Sequence, residues 1–214
     1  MIVTVSRQIG AGGSAIASLV AQALSFRLVD NELIDRVAQQ AGLSRTYVAN
    51  REERAPGFLE RLIRVLSRST PEMQSAPPDR LPEPEEKSLV AATEKVVAEL
   101  AVEGRVVLVG RAAPAVLSNT RDALHVKIVA PIPFRIARIV EVDGVDEREA
   151  ERRLKESDAN RARYHRHHYG RDWGDPANYH MVLNTAGLGL DGATELIVMR
   201  ANAIWGRREV RGER

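Results

Sequence analysis

The chain has 214 residues, 44% hydrophobic and 28% charged, enough for one substantial core, so a single domain spanning 1–214 is expected. The absence of cysteine excludes disulfide support, thiolate catalysis and thiolate zinc sites, and no apolar run approaches the ~20 residues of a membrane-spanning helix. Formal net charge is only +2, and of the 31 cationic residues just Lys87, Lys95, Lys127 and Lys155 are lysines; arginine, which grips phosphate oxygens in a bidentate fork, supplies the rest.

Residues 2–5 form a β-branched run that ends in a glycine-rich turn, and 14–24 then place Ile16, Leu19, Val20, Ala23 and Leu24 on one helical face. A brief strand at 26–29 ends at Asp30. Helices are predicted over 32–41, from an N-cap at Ser44, and over 56–68, whereas the prolines between 69 and 84 argue for an exposed loop. A long helix at 85–103 leads to the apolar strand 106–109 and to Gly110-Arg111. A strand at 123–130, a helix opened by Pro131 or Pro133, an arginine-rich helix starting at Asp146, a strand at 181–183 and a helix at 192–205 complete the chain. Strands alternating with helices predict an α/β fold, a parallel sheet with helices on both faces. The core must rest on Leu, Val, Ile and Ala, since aromatics make up only 4%. With no basic-then-apolar leader before the first strand, a cytoplasmic location is expected.

Ligands of such sheets sit beyond the carboxyl ends of the strands. Here those ends carry the turn after Val5, then Asp30, Gly110-Arg111, Ala130 and Asn184-Thr185, which are the glycines, carboxylate, arginine and small polar residues that a phosphate-ester site uses. The first turn, Arg7-Gln8-Ile9-Gly10-Ala11-Gly12-Gly13-Ser14, keeps the phosphate-loop spacing G-x-x-x-x-G-K-[ST] at Gly12 and Ser14. It departs from it twice: Arg7 stands at the first glycine and Gly13 at the lysine that reaches the β/γ-phosphates. Successive backbone N–H groups over Gly10, Ala11, Gly12, Gly13, Ser14 and Ala15 can still cradle an anion at the positive end of a helix. Ser14 is the expected Mg²⁺ contact, and Arg7 the nearest replacement for the missing lysine.

This opening, together with Asp30-Asn31-Glu32-Leu33-Ile34-Asp35-Arg36, Gly110-Arg111-Ala112-Ala113, Ser157-Asp158 with Arg161 and Arg163-Tyr164, and Tyr169-Gly170-Arg171-Asp172-Trp173-Gly174-Asp175-Pro176, resembles the cytidylate kinase-like family of P-loop proteins. The resemblance covers nearly the whole chain. It implies a three-layer P-loop α/β/α sandwich with a helical acceptor-binding insert at about 42–87 and an arginine-rich lid at about 146–180. It also implies ATP and Mg²⁺ as cofactors and phosphoryl transfer to a nucleoside monophosphate or related small acceptor. Asp30 and Arg36 match the Asp-to-Arg spacing of the family's acceptor segment, Arg111 its Gly-Arg phosphate contact, and Asp158 with Arg161 its lid motif. Arg161 and Arg163 are then the cations that close over the reacting group, with Asp30 or Asp158 orienting the acceptor.

Each of these residues also has a plainer reading. Arg36 and Arg111 fit solvated positions, Asp158 and Arg161 an ordinary i,i+3 helix pair, and the charge run 146–171 a solvated face. His165, His167, His168 and His180 lack a metalloprotease spacing, which favours solvent or phosphate over zinc. Trp173 and Tyr179 suit packing better than base stacking. A nucleotide-binding regulator that kept the fold and lost the chemistry is the alternative to a kinase. A sequence-specific nucleic-acid binder is disfavoured by the near-zero net charge and the lack of an aromatic platform. Homo-oligomerisation is compatible with the sequence.

Overall fold

The computed structural model describes residues 1–30 and 84–212, with side chains from 90 to 206 in the second stretch. The helices predicted between 32 and 68, the loop before Pro84, most of the insert and Arg36 lie outside the described residues.

Five strands form one sheet in which every pairing is parallel: β1 (Ile2–Arg7), β2 (Arg27–Val29), β3 (Val106–Val109), β4 (Ala123–Val129) and β5 (Met181–Asn184), in the order β2-β3-β1-β4-β5. The helices are α1 (Gly13–Leu24), α2 (Pro84–Glu103), α3 (Ala113–Val116), α4 (Ile132–Asp143), α5 (Glu147–Tyr169) and α6 (Thr185–Gly212). All strands point the same way, so the five strand ends singled out in the sequence lie along one rim. Chain connections leave β1 and β4 toward opposite edges, and that divergence opens a crevice between neighbouring strands.

The period-2 alternation of β1 and β4 divides their side chains between two layers. Val3 and Val5 of β1 and Leu124, Val126 and Ile128 of β4 pack against Ile16, Ala17 and Val20 of α1 and against Ala193, Ile197 and Ala201 of α6. On the other face Ile2, Val106 and Leu108 meet Val96, Val97 and Leu100 of α2. Further along that face the buried residues are polar: Thr4, Ser6, His125 and Lys127. A smaller core of Ile139, Ala150 and Leu154 joins α4 to α5.

Several boundaries differ from expectation. Strand β1 continues through Ser6 and Arg7, with Arg7 in register with Ile128, so Arg7 is a strand residue and not part of the turn. Pro84, expected in a loop, is the first residue of α2, where its missing N–H has no helical partner to lose. The last helix begins at Thr185, seven residues early, and breaks at Gly189, whose φ of 68° and ψ of −179° suit glycine alone. Helix α3 was not foreseen; a four-residue helix gives too little periodicity to detect. The charge-dense helix α5 does carry a solvated face: Arg152 and Arg153 both bind Glu149, at 2.7 and 2.8 Å, and hold its carboxyl down to about 2.

Candidate active site

Gly10 has φ 76°, and a Cβ there would fall against the backbone of Arg135, 3.0 Å from its Cα, so the turn is pressed onto the first residues of α4. Thr185, the first residue of α6, donates its hydroxyl to the Ala11 carbonyl at 2.9 Å and fastens the loop from the other side. Helix α1 opens with no side-chain cap and no acidic residue in its first turn. Its first amides and the positive end of its dipole are thus available to an anion, with the Ser14 hydroxyl exposed beside them.

Two arginines reach this cradle, and a third stands beside the second of them. Arg138 of α4 brings its guanidinium over Gly12, with Cζ 3.5 Å from where a Cβ on that glycine would sit. Arg7 reaches across from the end of β1: its stem lies over Gly13, and its guanidinium lies against Gly110 at the end of β3, Cζ being 3.3 Å from the place of a Gly110 Cβ. Arg111 follows within an unusual backbone, since Gly110, Arg111 and Ala112 all have left-handed φ, at 74°, 55° and 49°. For a residue with a Cβ this conformation costs about 1–2 kcal/mol, and here it occurs twice in succession at the rim. Burial, and after it the neighbouring Arg7 guanidinium, lowers the Arg111 pKa to about 9, while Tyr164 and Asp30 favour its charge. Arg7, Asp30, Arg111 and Tyr164 are therefore neighbours.

Asp158 lies in α5. One oxygen accepts from the buried guanidinium of Arg135 at 2.7 Å, and Arg135 also donates from Nε to the Ile9 carbonyl at 2.8 Å. The other oxygen is 3.8 Å from Arg161, which in turn donates to Ser157 at 2.5 Å. Asp158 is thus tied to the glycine-rich turn through Arg135, and Arg161 stands beside it. Arg163, two residues on and about 200° around the helix, is exposed and not brought to this cluster.

Behind the rim the polar layer of the sheet meets the segment that follows α5. Trp173 donates its indole N–H to Ser6 at 2.9 Å, and Tyr179 donates to the Trp173 carbonyl at 3.1 Å. Lys127 also donates to that carbonyl, and its ammonium lies 4.1 Å from the Trp173 ring centre and 5.1 Å from that of Tyr179. Burial lowers the Lys127 pKa to about 8, against the pull of Asp158 and Asp172. His165 is buried here as well and is pushed down to about 4, first by burial and then by Lys127 and Arg171. His180 stacks instead on His125, 4.9 Å between ring centres, so the histidines do not converge. Among the described residues no three His, Cys, Asp or Glu side chains gather as a metal site.

A sequence profile of the Cytidylate kinase-like family matches residues 2–187. The chain belongs to this family. It is 32% identical over 96 residues to a cytidylate kinase of Methanopyrus kandleri, an overlap covering 41% of this chain and 50% of that one; the chain thus spans about half the length of the curated relative it matches. Among solved structures, an uncharacterized protein from Eubacterium ventriosum superposes with a TM-score of 0.68 at 21% identity, covering 94% of this chain and 98% of the other. A shikimate kinase from Bacteroides thetaiotaomicron does so with 0.50 at 12% identity, covering 95% and 97%. These likenesses establish the P-loop kinase fold.

Thr185 stands among the strand-end residues that the sequence singles out, whereas Arg135 and Arg138 do not. A usable signal was present, however: both fall in the helix that follows a strand end, three residues apart and hence on one face. No helix among the described residues is long and apolar enough to cross a membrane.

Proposed function

We propose that this chain transfers the γ-phosphoryl group of ATP, with Mg²⁺, to a nucleoside monophosphate or a related small phosphate-bearing acceptor. The observation that carries the reading is an uncapped glycine cradle with the Arg138 guanidinium over Gly12 and the Arg7 stem over Gly13, the Arg7 guanidinium continuing to Gly110 beside Arg111. In phosphoryl transfer there is little covalent chemistry for a protein to perform, so positioning and charge neutralisation carry the catalysis.

In this reading the amides from Gly10 to Ala15 hold the donor phosphates, and Arg138 lies over them. Arg111, aimed by its left-handed backbone, holds the acceptor phosphate together with Arg36, and Asp30 orients the acceptor. An acceptor oxygen attacks the γ-phosphorus while the bond to the bridging oxygen breaks, leaving ADP. Negative charge grows on the bridging oxygen, where Arg7 and Arg161 stabilise it. The exposed Ser14 hydroxyl is suited to contact Mg²⁺, which when bound would neutralise charge between adjacent phosphates. Asp158 acts in this scheme through Arg135 and Arg161, as a positioning residue. Arg163 would take part only after a movement of α5.

The test is a coupled assay for ADP release with a panel of nucleoside monophosphates and small hydroxyl acceptors. Mg²⁺-dependent ADP formation with one class of acceptor is expected, and none with any acceptor would defeat the reading. Gly13 in place of lysine favours a second reading, a regulator that binds nucleotide without turnover. Tight ATP binding with no ADP release across the panel would establish that one instead.

A further inference from the structure

Building on the phosphoryl-transfer reading above, we propose that Arg7 and Gly13 are an exchanged pair. The cation that a phosphate loop normally carries on the first turn of its helix is supplied here from the end of β1, and Gly13 is glycine because the stem of that arginine occupies its side-chain space.

The steric half follows from the packing. A Cβ on Gly13 would collide with Arg7 Cβ and lie 2.9 Å from its Cγ, with Ile128 Cβ 3.5 Å away on the far side. These are the stiff, backbone-proximal atoms of an arginine whose main chain is held in the β1–β4 ladder, so they cannot swing aside. Any side chain at 13 therefore displaces either α1 or Arg7. Gly13→Lys alone would not repair the loop; it would put two cations in one space.

The electrostatic half follows from where the guanidinium goes. Arg7 passes over Gly13, where the turn after β1 enters α1, and ends against Gly110, in the turn that follows β3. It thus spans the turn assigned to the donor and the turn assigned to the acceptor. There it sits close enough to Arg111 to disfavour that residue's charge. Two neighbouring, partly buried guanidiniums repel, and a polyanion between them removes the penalty. The ligand that suits this position is a phosphoryl group with neighbours on both sides. A lysine threaded along the donor loop would face the donor alone. Arg7 is accordingly the cation placed to hold both ends of the transfer.

The experiment is a cycle of Arg7→Gly, Gly13→Lys and the double variant, with Arg7→Met added because it keeps the stem and removes the charge. Melting temperature and the affinity of the Mg²⁺ complex of a non-hydrolysable β,γ-imido ATP analogue are measured for each. Gly13→Lys is expected to melt several degrees below wild type, and the double variant to recover most of that loss, a non-additivity that reports the shared space. Arg7→Met is expected to melt within a degree or two of wild type while binding the analogue at least tenfold more weakly. The double variant should bind at least threefold more tightly than Arg7→Gly. Gly13→Lys melting like wild type, or Arg7→Met binding the analogue as wild type does, would overturn the exchange and leave the phosphoryl-transfer reading in place. A wild-type protein that neither binds the analogue nor releases ADP removes that reading and the cationic role of Arg7 together.

Discussion

The two faces of the β1–β4 ladder are built from the same strands and differ in almost every physical respect. Toward α1 and α6 the side chains are Val3, Val5, Leu124, Val126 and Ile128, an apolar layer with no direction of its own. Toward the segment after α5 they are Thr4, Ser6, His125 and Lys127, each buried and each bonded to a named partner: Thr4 to His125 at 2.8 Å, Ser6 to Trp173, Lys127 to the Trp173 carbonyl, and the His125 amide to His180 at 2.9 Å. The first face can only hold the sheet together. The second sets the register between the sheet and the chain that leads out of α5, because polar groups taken out of water must be paired and so fix geometry.

The largest effect expected from breaking this comparison lies on the apolar face. Ile197 is fully buried between Ala193 and Ala201, so Ile197→Ala should cost ~3 kcal/mol, within the usual range for an isoleucine truncated to alanine. In a protein of this size that lowers the melting temperature by roughly 6–12 °C. Nucleotide affinity, measured well below the melt, should be unchanged. Weaker binding by a stably folded Ile197→Ala protein would show that the apolar layer also shapes the site.

How much of this was readable beforehand follows the same division. The apolar layers were legible: Val106–Val109, buried throughout, reads as an internal parallel strand with side chains on both faces, and the spacing in α1 picks out Ile16 and Val20, although Ala23 is exposed and Ala17 and Ala21 are buried. Trp173 and Tyr179 pack, as their surroundings suggested. The glycine-rich turn sits where a phosphate loop should, because strand, turn and helix are neighbours in sequence. Contacts joining distant segments were not legible. Nothing local marks Arg135 as the link from Ile9 to Asp158, or Arg7 as the occupant of the space at Gly13. The left-handed backbone at Arg111 and Ala112 is also invisible, since neither residue type favours it.

A smaller effect separates the faces by pH. His125 and His165, both on the polar side, are held near 4, against about 6.5 in an unfolded chain, with burial the principal cause in each case. The folded state therefore binds fewer protons than the unfolded state between those values, so stability is full above pH ~6.5 and is lost as the pH falls toward 4. On the order of 1–2 kcal/mol per histidine should be lost by pH 5. Urea unfolding at pH 7 and pH 5 measures the loss, and a His125→Gln, His165→Gln protein should show a flatter dependence. Ile197→Ala should leave the slope as it is, only displaced. An unchanged slope in the histidine variant would place the acid sensitivity elsewhere.

The smallest global change, and the sharpest local one, is expected at Lys127. Its charge is desolvated by the fold, and what offsets this is the Trp173 carbonyl, the faces of Trp173 and Tyr179, and the more distant carboxylates of Asp158 and Asp172. Lys127→Met keeps the volume while removing both the desolvation penalty and the contacts that oppose it, so the terms largely cancel and total stability should move by about 1 kcal/mol or less. The cancellation is not local. Without the ammonium, the Trp173 carbonyl keeps, among the described residues, the Tyr179 hydroxyl, and the turn from Asp172 to Tyr179 loses its contact with Lys127 of β4. Amide hydrogen exchange should therefore accelerate about tenfold or more in that segment while β1 and β4 themselves stay protected. Uniform acceleration across the sheet would mean that Lys127 serves the fold as a whole. Acceleration confined to residues 172–180 would show that the polar face holds the chain leaving α5 without contributing to the core.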